Sequence, residues 1–127
     1  MKRAIEGTTP VGAYSPGVLV DERILFVSGQ GPLREGEVVS GTIEEETQLA
    51  LDNLRAVLEH AGATMADVIR CGVYLSDIED FAAMNAVYRR AFAEPLPART
   101  TIGASLPGIK VEIDCLALVP SPVGPAR

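Results

Sequence analysis

The chain has 127 residues, 47% of them apolar, with a net charge of −6 and a single histidine. That is one domain with room for a real core, and no apolar run approaches the ~20 residues of a membrane span. Its eleven basic residues form no run longer than two, at Lys2-Arg3 and Arg89-Arg90, which argues against the basic footprint of a nucleic-acid binder.

In chain order, Met1 to Gly7 reads as a short edge strand without the apolar h-region of a secretory signal, so a cytoplasmic address is the expectation. Thr8 to Ala13 is a loop, and Tyr14-Ser15-Pro16-Gly17 turns into Val18-Leu19-Val20. Asp21-Glu22 is a hairpin-type break before the β-branched and aromatic strand Ile24 to Ser28. Gly29-Gln30-Gly31-Pro32 ends that strand, and its glycines expose N–H groups that either cradle an anion or make a bend. Thr42-Ile43-Glu44-Glu45 is a capping box. It opens a long helix with Ala50, Leu54, Val57, Leu58 and Ala61 on its core stripe and Gly62 as the left-handed residue that closes it. The run Glu44-Glu45-Glu46 is read as first-turn acids complementing the helix dipole rather than as a metal cluster, and His60 as a surface cap.

Val68 to Leu75 is the next strand. A second helix covers Asp80 to Ala93, with Asp80 as its cap and Phe81, Met84, Val87 and Tyr88 as its apolar stripe. Glu94-Pro95-Leu96-Pro97 stops it. Thr100 to Ala104 is a strand, Leu106-Pro107-Gly108 a turn, and Val111 to Val119 the last strand. The tail, residues 120–127, cannot join a ladder and is expected to be flexible. Cys71 and Cys115 sit between apolar neighbours and read as buried free thiols, and no zinc-ligand spacing exists.

If the strands before and after Pro107-Gly108 are sheet neighbours, Arg99 and Glu112 border one pocket. An arginine fork holds a carboxylate with two parallel hydrogen bonds, and a carboxylate beside it orients or deprotonates a water. A plain salt bridge between the two satisfies the spacing equally well.

Strand parity carries a second message. Val111, Ile113, Cys115, Ala117 and Val119 share one face of the last strand, opposite Glu112, Asp114, Leu116 and Leu118. In the strand before the second helix, Ile69, Cys71, Val73 and Leu75 oppose Val68, Arg70, Gly72 and Tyr74. Two helices suit the apolar face. The mixed face, with leucines, a tyrosine and charges together, calls for a partner subunit, and a homo-oligomer with Glu112 near its seam is the expectation.

With these elements in place the chain resembles the RidA family, also called the YjgF family, over nearly its whole length. The resemblance is carried by Gly12-Ala13-Tyr14-Ser15, Val27-Ser28-Gly29-Gln30, the run Asp80 to Tyr88 of the second helix, and Pro97-Ala98-Arg99 followed by Val111-Glu112-Ile113. It implies a single α/β (α+β) domain of the chorismate-mutase-like type. Such a domain has a mixed sheet with two helices on one face, and its sheets meet in a homotrimer with active sites between subunits.

It further implies hydrolysis of 2-imino acids, such as 2-iminobutanoate and 2-iminopropanoate, to 2-keto acids and ammonia. These imines arise from enamines released by pyridoxal-phosphate-dependent dehydratases. The family's carboxylate-binding arginine falls on Arg99 and its water-orienting glutamate on Glu112. Tyr14, Ser28 and Gly29 match its pocket tyrosine and strand-end residues, and Asn85 a recurrent asparagine. No metal and no organic cofactor is implied.

Thr101 stands where many members have cysteine, which excludes thiol chemistry there. The first loop departs from the family pattern at Ala13 and Pro16-Gly17. A deaminase of a larger enamine such as 2-aminomuconate, or a non-catalytic small-ligand-binding trimer, are the alternatives.

Overall fold

A computed structural model describes residues 2–20 and 23–120 of the protein. The Asp21-Glu22 break and residues 121–127 of the tail lie outside the described residues. The elements in chain order are β1 (Lys2–Ile5), β2 (Gly17–Val20), β3 (Ile24–Gln30), β4 (Leu33–Arg34), β5 (Glu37–Val38), α1 (Ile43–His60), β6 (Val68–Leu75), α2 (Phe81–Arg90), β7 (Ala98–Gly103) and β8 (Val111–Leu118). Single 3-10 turns, Met65–Asp67 and Ile78–Asp80, precede β6 and α2.

Six strands form one sheet in the order β1-β2-β3-β8-β6-β7. All neighbours are antiparallel except β6 and β7, which run parallel because α2 carries the chain back between them. The hairpin β4-β5 stands apart, its turn made by Glu35 and Gly36, both at positive φ as a two-residue hairpin turn requires.

Alternation in β8 fixes the layers. Val111, Ile113, Cys115 and Ala117 are buried, while Glu112, Asp114 and Leu116 are only partly covered and Leu118 is exposed. The buried row packs under α1, which also touches β3 and α2. Ala50, Leu54, Val57 and Leu58 of α1 join Met84, Val87 and Tyr88 of α2 in the same core. Fold class and the covered face therefore follow the sequence pattern: two helices on one side of a mixed sheet, the other side open. No helix among the described residues is long and apolar enough to cross a membrane.

Local readings hold at both ends of α1. Thr42 Oγ1 accepts from Glu45 N at 3.1 Å, Glu45 Oε1 accepts from Thr42 N at 2.9 Å, and Gly62 closes the helix at φ +83°. Glu46 lies in the first turn with Glu44 and Glu45, as expected, and has a further role. It is 2% exposed, accepts from the Lys110 backbone N–H at 2.8 Å and from Gly41 N–H at 3.2 Å, and pairs with Lys110 Nζ at 3.2 Å. The carboxylate thus ties the start of α1 to the turn that enters β8.

Three expectations are corrected. In β6 it is Val68 that enters the core and Ile69 that is exposed, because the register against β8 shifts between Val68 and Arg70 and inverts the parity there. α2 begins at Phe81 and ends at Arg90. Asp80 makes no side-chain cap, and it is Asp77 that accepts, from Glu79 N at 2.9 Å, in the preceding 3-10 turn. Most important for function, β7 and β8 are not neighbours, since β6 lies between them.

Candidate active site

Arg99 stands on β7, the edge strand, opposite Cys71 of β6, whose side chain is in the core. Paired residues share a face, so Arg99 points to the helix side. There, Phe81, Asn85 and Tyr88 recur at helical spacing on α2 and receive it. Arg99 Nη1 donates to Asn85 Oδ1 at 2.7 Å, and the guanidinium carbon lies 4.7 Å from the Tyr88 ring centroid and 5.3 Å from that of Phe81. Such stacking and a single hydrogen bond hold the fork while most of its five N–H donors remain available. Phe81, expected in the core stripe, is 40% exposed and serves this stack instead. A cavity of about 320 Å³ opens here, lined by Asn85, Tyr88, Arg89, Leu96, Pro97 and Arg99.

Thr101 is two residues further along β7 on the same face, opposite buried Val73. Its hydroxyl is buried and has no hydrogen-bond partner among the described residues.

Glu112 lies on the other side of the sheet. It is paired with Tyr74 of β6 on the open face. Its carboxylate rests against the backbone of Gly29: a Cβ there would sit 2.1 Å from Glu112 Oε2. A Cβ fits here only if the Glu112 side chain moves away, and β3 shifts register between Val27 and Gln30 around it. Burial holds the Glu112 carboxyl above the usual carboxylate range, and the charge of Asp114 adds to the effect.

Asp114 is itself anchored, accepting from Gly72 N at 3.0 Å and from the Tyr74 hydroxyl at 2.9 Å. That hydrogen bond, more than burial, pushes the Tyr74 hydroxyl up. Sequence reasoning did not single out Asp114 or Tyr74 for the site, although the period of two from Glu112 points to Asp114.

Ser28 and Tyr14 are engaged by the first loop. The Ser28 hydroxyl donates to the Ser15 carbonyl and its N–H to the Pro16 carbonyl at 2.9 Å. The Tyr14 hydroxyl accepts from Val11 N at 3.3 Å, and the ring is 43% exposed. Ser28 thus fastens the loop to the strand that carries Gly29.

Cys71 and Cys115 are buried, free and directly opposite each other across β6 and β8. Burial pushes the Cys71 thiol up to about 11 and Cys115 higher still, so neither supplies a thiolate nucleophile at neutral pH. Among the described residues no group of three or more His, Cys, Asp or Glu is placed to hold a metal ion.

The structure therefore gathers the predicted residues into two half-sites. Arg99, Asn85 and Thr101 are together on the helix side at the sheet edge, and Glu112 and Gly29 are together on the open side. The expectation that Arg99 and Glu112 border one pocket through neighbouring strands fails within a chain, because the β6-α2-β7 crossover puts β7 beside β6 instead of β8.

Comparison with known proteins agrees with the fold and the motifs. The family model described as endoribonuclease L-PSP matches residues 4–119. The 2-iminobutanoate/2-iminopropanoate deaminase of Rattus norvegicus is 41% identical over 112 residues, covering 85% of this chain and 81% of that protein. Protein mmf2, mitochondrial, of Schizosaccharomyces pombe is 43% identical over 99 residues, covering 74% and 79%. Among solved structures, RidA from the Antarctic bacterium Psychrobacter superposes with a TM-score of 0.85 at 30% identity, covering 92% of this chain and 99% of that one. The chain belongs to the endoribonuclease L-PSP family, also known as the YjgF/RidA family.

Proposed function

We propose that this protein hydrolyses 2-imino acids to 2-keto acids and ammonia, in sites assembled between the subunits of a homotrimer. One observation carries the reading: a stacked, edge-strand arginine and a half-buried glutamate occupy opposite faces of one sheet. Only a second copy brings such halves together. The open face supports this, for Phe26, Ile102 and Leu118, on the same face as Glu112 and Asp114, expose 44%, 47% and 50% of their surface. A face of that kind is covered by a partner.

In this reading Arg99 of one subunit clamps the substrate carboxylate bidentately and sets the adjacent imine carbon against a water held by Glu112 of the next. Glu112 takes a proton from the water as its oxygen bonds to that carbon, giving a tetrahedral carbinolamine. That proton passes to nitrogen, Glu112 then takes the hydroxyl proton and delivers it to the same nitrogen, and the C–N bond breaks so that ammonia leaves as the carbonyl forms. The raised carboxyl of Glu112 suits both directions of this transfer. Tyr14, Ser28, Gly29 and Thr101 border the substrate, and Asn85 holds the fork in place. An imine carbon is already electrophilic, so positioning and one base suffice, and the chemistry calls for neither metal nor organic cofactor.

The relatives bear deaminase as well as endoribonuclease names. A charge of −6 and a lone, exposed histidine favour the small acid over RNA. The test is keto-acid release from freshly generated 2-iminobutanoate and 2-iminopropanoate, with the intact protein and with Arg99→Ala. Acceleration that vanishes in the variant supports the proposal. No acceleration by the intact protein refutes it and directs attention to larger enamines or to binding without turnover.

A further inference from the structure

The cavity beside Arg99 has a second cation that imine hydrolysis does not use. Arg89 lies on α2 four residues after Asn85, so the two share a helix face with their Cβ atoms about 6 Å apart. Asn85 is the residue bonded to Arg99, at 2.7 Å. Arg89 therefore stands one helical turn beyond the carboxylate clamp, over the same cavity, with Leu96 and Pro97 as its apolar wall.

The charge balance of this cavity is unusual for the chain. The protein has 17 acidic and 11 basic residues, yet the lining holds two arginines and no carboxylate. By contrast, the two cavities lined by Arg34 also carry Asp52, together with Glu45 in one and Glu35 in the other. Arg89 has one ionic neighbour among the described residues, Glu94, at 3.9 Å, with side chains 65% and 76% exposed. A solvated pair at that distance holds its partners weakly and yields to a ligand anion.

We infer that Arg89 is a specificity-determining residue that binds a second anionic group, so that the site takes a 2-imino acid bearing a distal carboxylate. This rests on Arg99 as the clamp for the first carboxylate. The α-carboxylate occupies the Arg99 fork, a short carbon chain crosses Leu96 and Pro97, and the distal carboxylate meets Arg89. The supplying reaction is then one that oxidises an acidic amino acid or dehydrates its β-hydroxy derivative.

The test is calorimetric binding of two product analogues of equal chain length, 2-oxopentanedioate and 2-oxopentanoate, which differ only in the distal carboxylate. The intact protein is expected to bind the dicarboxylate about tenfold more tightly, as one charge-assisted contact predicts. In Arg89→Ala the ratio of the two affinities should fall to about one. Equal or weaker binding of the dicarboxylate by the intact protein overturns the inference, as does a preference that persists in Arg89→Ala. Arg99→Ala should weaken both ligands. If both bind Arg99→Ala as well as the intact protein, the clamp reading fails, and the inference with it.

Discussion

Arg99 and Glu112 point away from each other: one is paired with core-facing Cys71 on the helix side of the sheet, the other with Tyr74 on the open side, and strand β6 runs between them. A single chain thus displays half of the proposed chemistry on each face. In a closed ring of like subunits every face meets its complement, so a ring restores as many whole sites as it has seams.

The approach of Glu112 to Gly29 gives the first prediction. A methyl group at Gly29 would meet Glu112 Oε2 at 2.1 Å and Cδ at 2.6 Å, atoms at the far end of a flexible side chain. Gly29→Ala should therefore fold and displace the carboxylate. Misplacement on the order of 1 Å costs up to about a hundredfold in rate, so kcat should fall by about that factor with the melting temperature nearly unchanged. A variant with full kcat would show that Glu112 does not act from this position.

The second prediction concerns pH. Because burial and then Asp114 hold the Glu112 carboxyl up, kcat/KM should decline on acidification at a higher pH than an ordinary glutamate would dictate. Asp114→Asn removes the like charge and should move that limb to lower pH. A limb that stays put would remove Asp114 from the account.

Stability carries the opposite sign. A carboxyl whose folded pKa exceeds its unfolded one favours the fold when protonated, so its ionisation costs stability above the folded pKa and nothing below the unfolded one. Glu112→Gln should raise the melting temperature at neutral pH and lose that advantage in acid. Thermal unfolding at both pH values checks the sign.

Glu46 predicts the stability of the scaffold. Glu46→Ala strips acceptors from Lys110 N–H and Gly41 N–H and leaves Lys110 Nζ without its partner. A loss of about 2–3 kcal/mol follows from the unmet donors. Urea unfolding should show a lower midpoint with an unchanged slope, and an unchanged midpoint would contradict the anchoring role.

Much of this architecture was legible in the chain because it rests on local rules. The capping box at Thr42 and Glu45, the left-handed Gly62 and the alternation of β8 each depend on neighbours a few residues away. Strand adjacency does not. The turn residues Pro107-Gly108 suggest a hairpin, yet β6, α2 and β7 form a parallel crossover unit that claims the edge beside β6, and β8 inserts on the far side. The shift between Val68 and Arg70 and the burial of Glu46 also depend on partners distant in sequence. Within the site, Arg99, Asn85 and Glu112 could be singled out by residue type and motif, whereas their separation onto two faces required the sheet order.

The central claim, a site completed across a subunit seam, is tested most directly by mixing two defective chains. Arg99→Ala and Glu112→Ala, co-expressed and purified as mixed trimers, should each be inactive alone. Every mixed trimer, two-to-one or one-to-two, joins an intact Arg99 to an intact Glu112 at one of its three seams, or about a third of them. Recovery of imine hydrolysis to about that fraction is the predicted result. Mixed trimers that remain as inactive as their parents would contradict it.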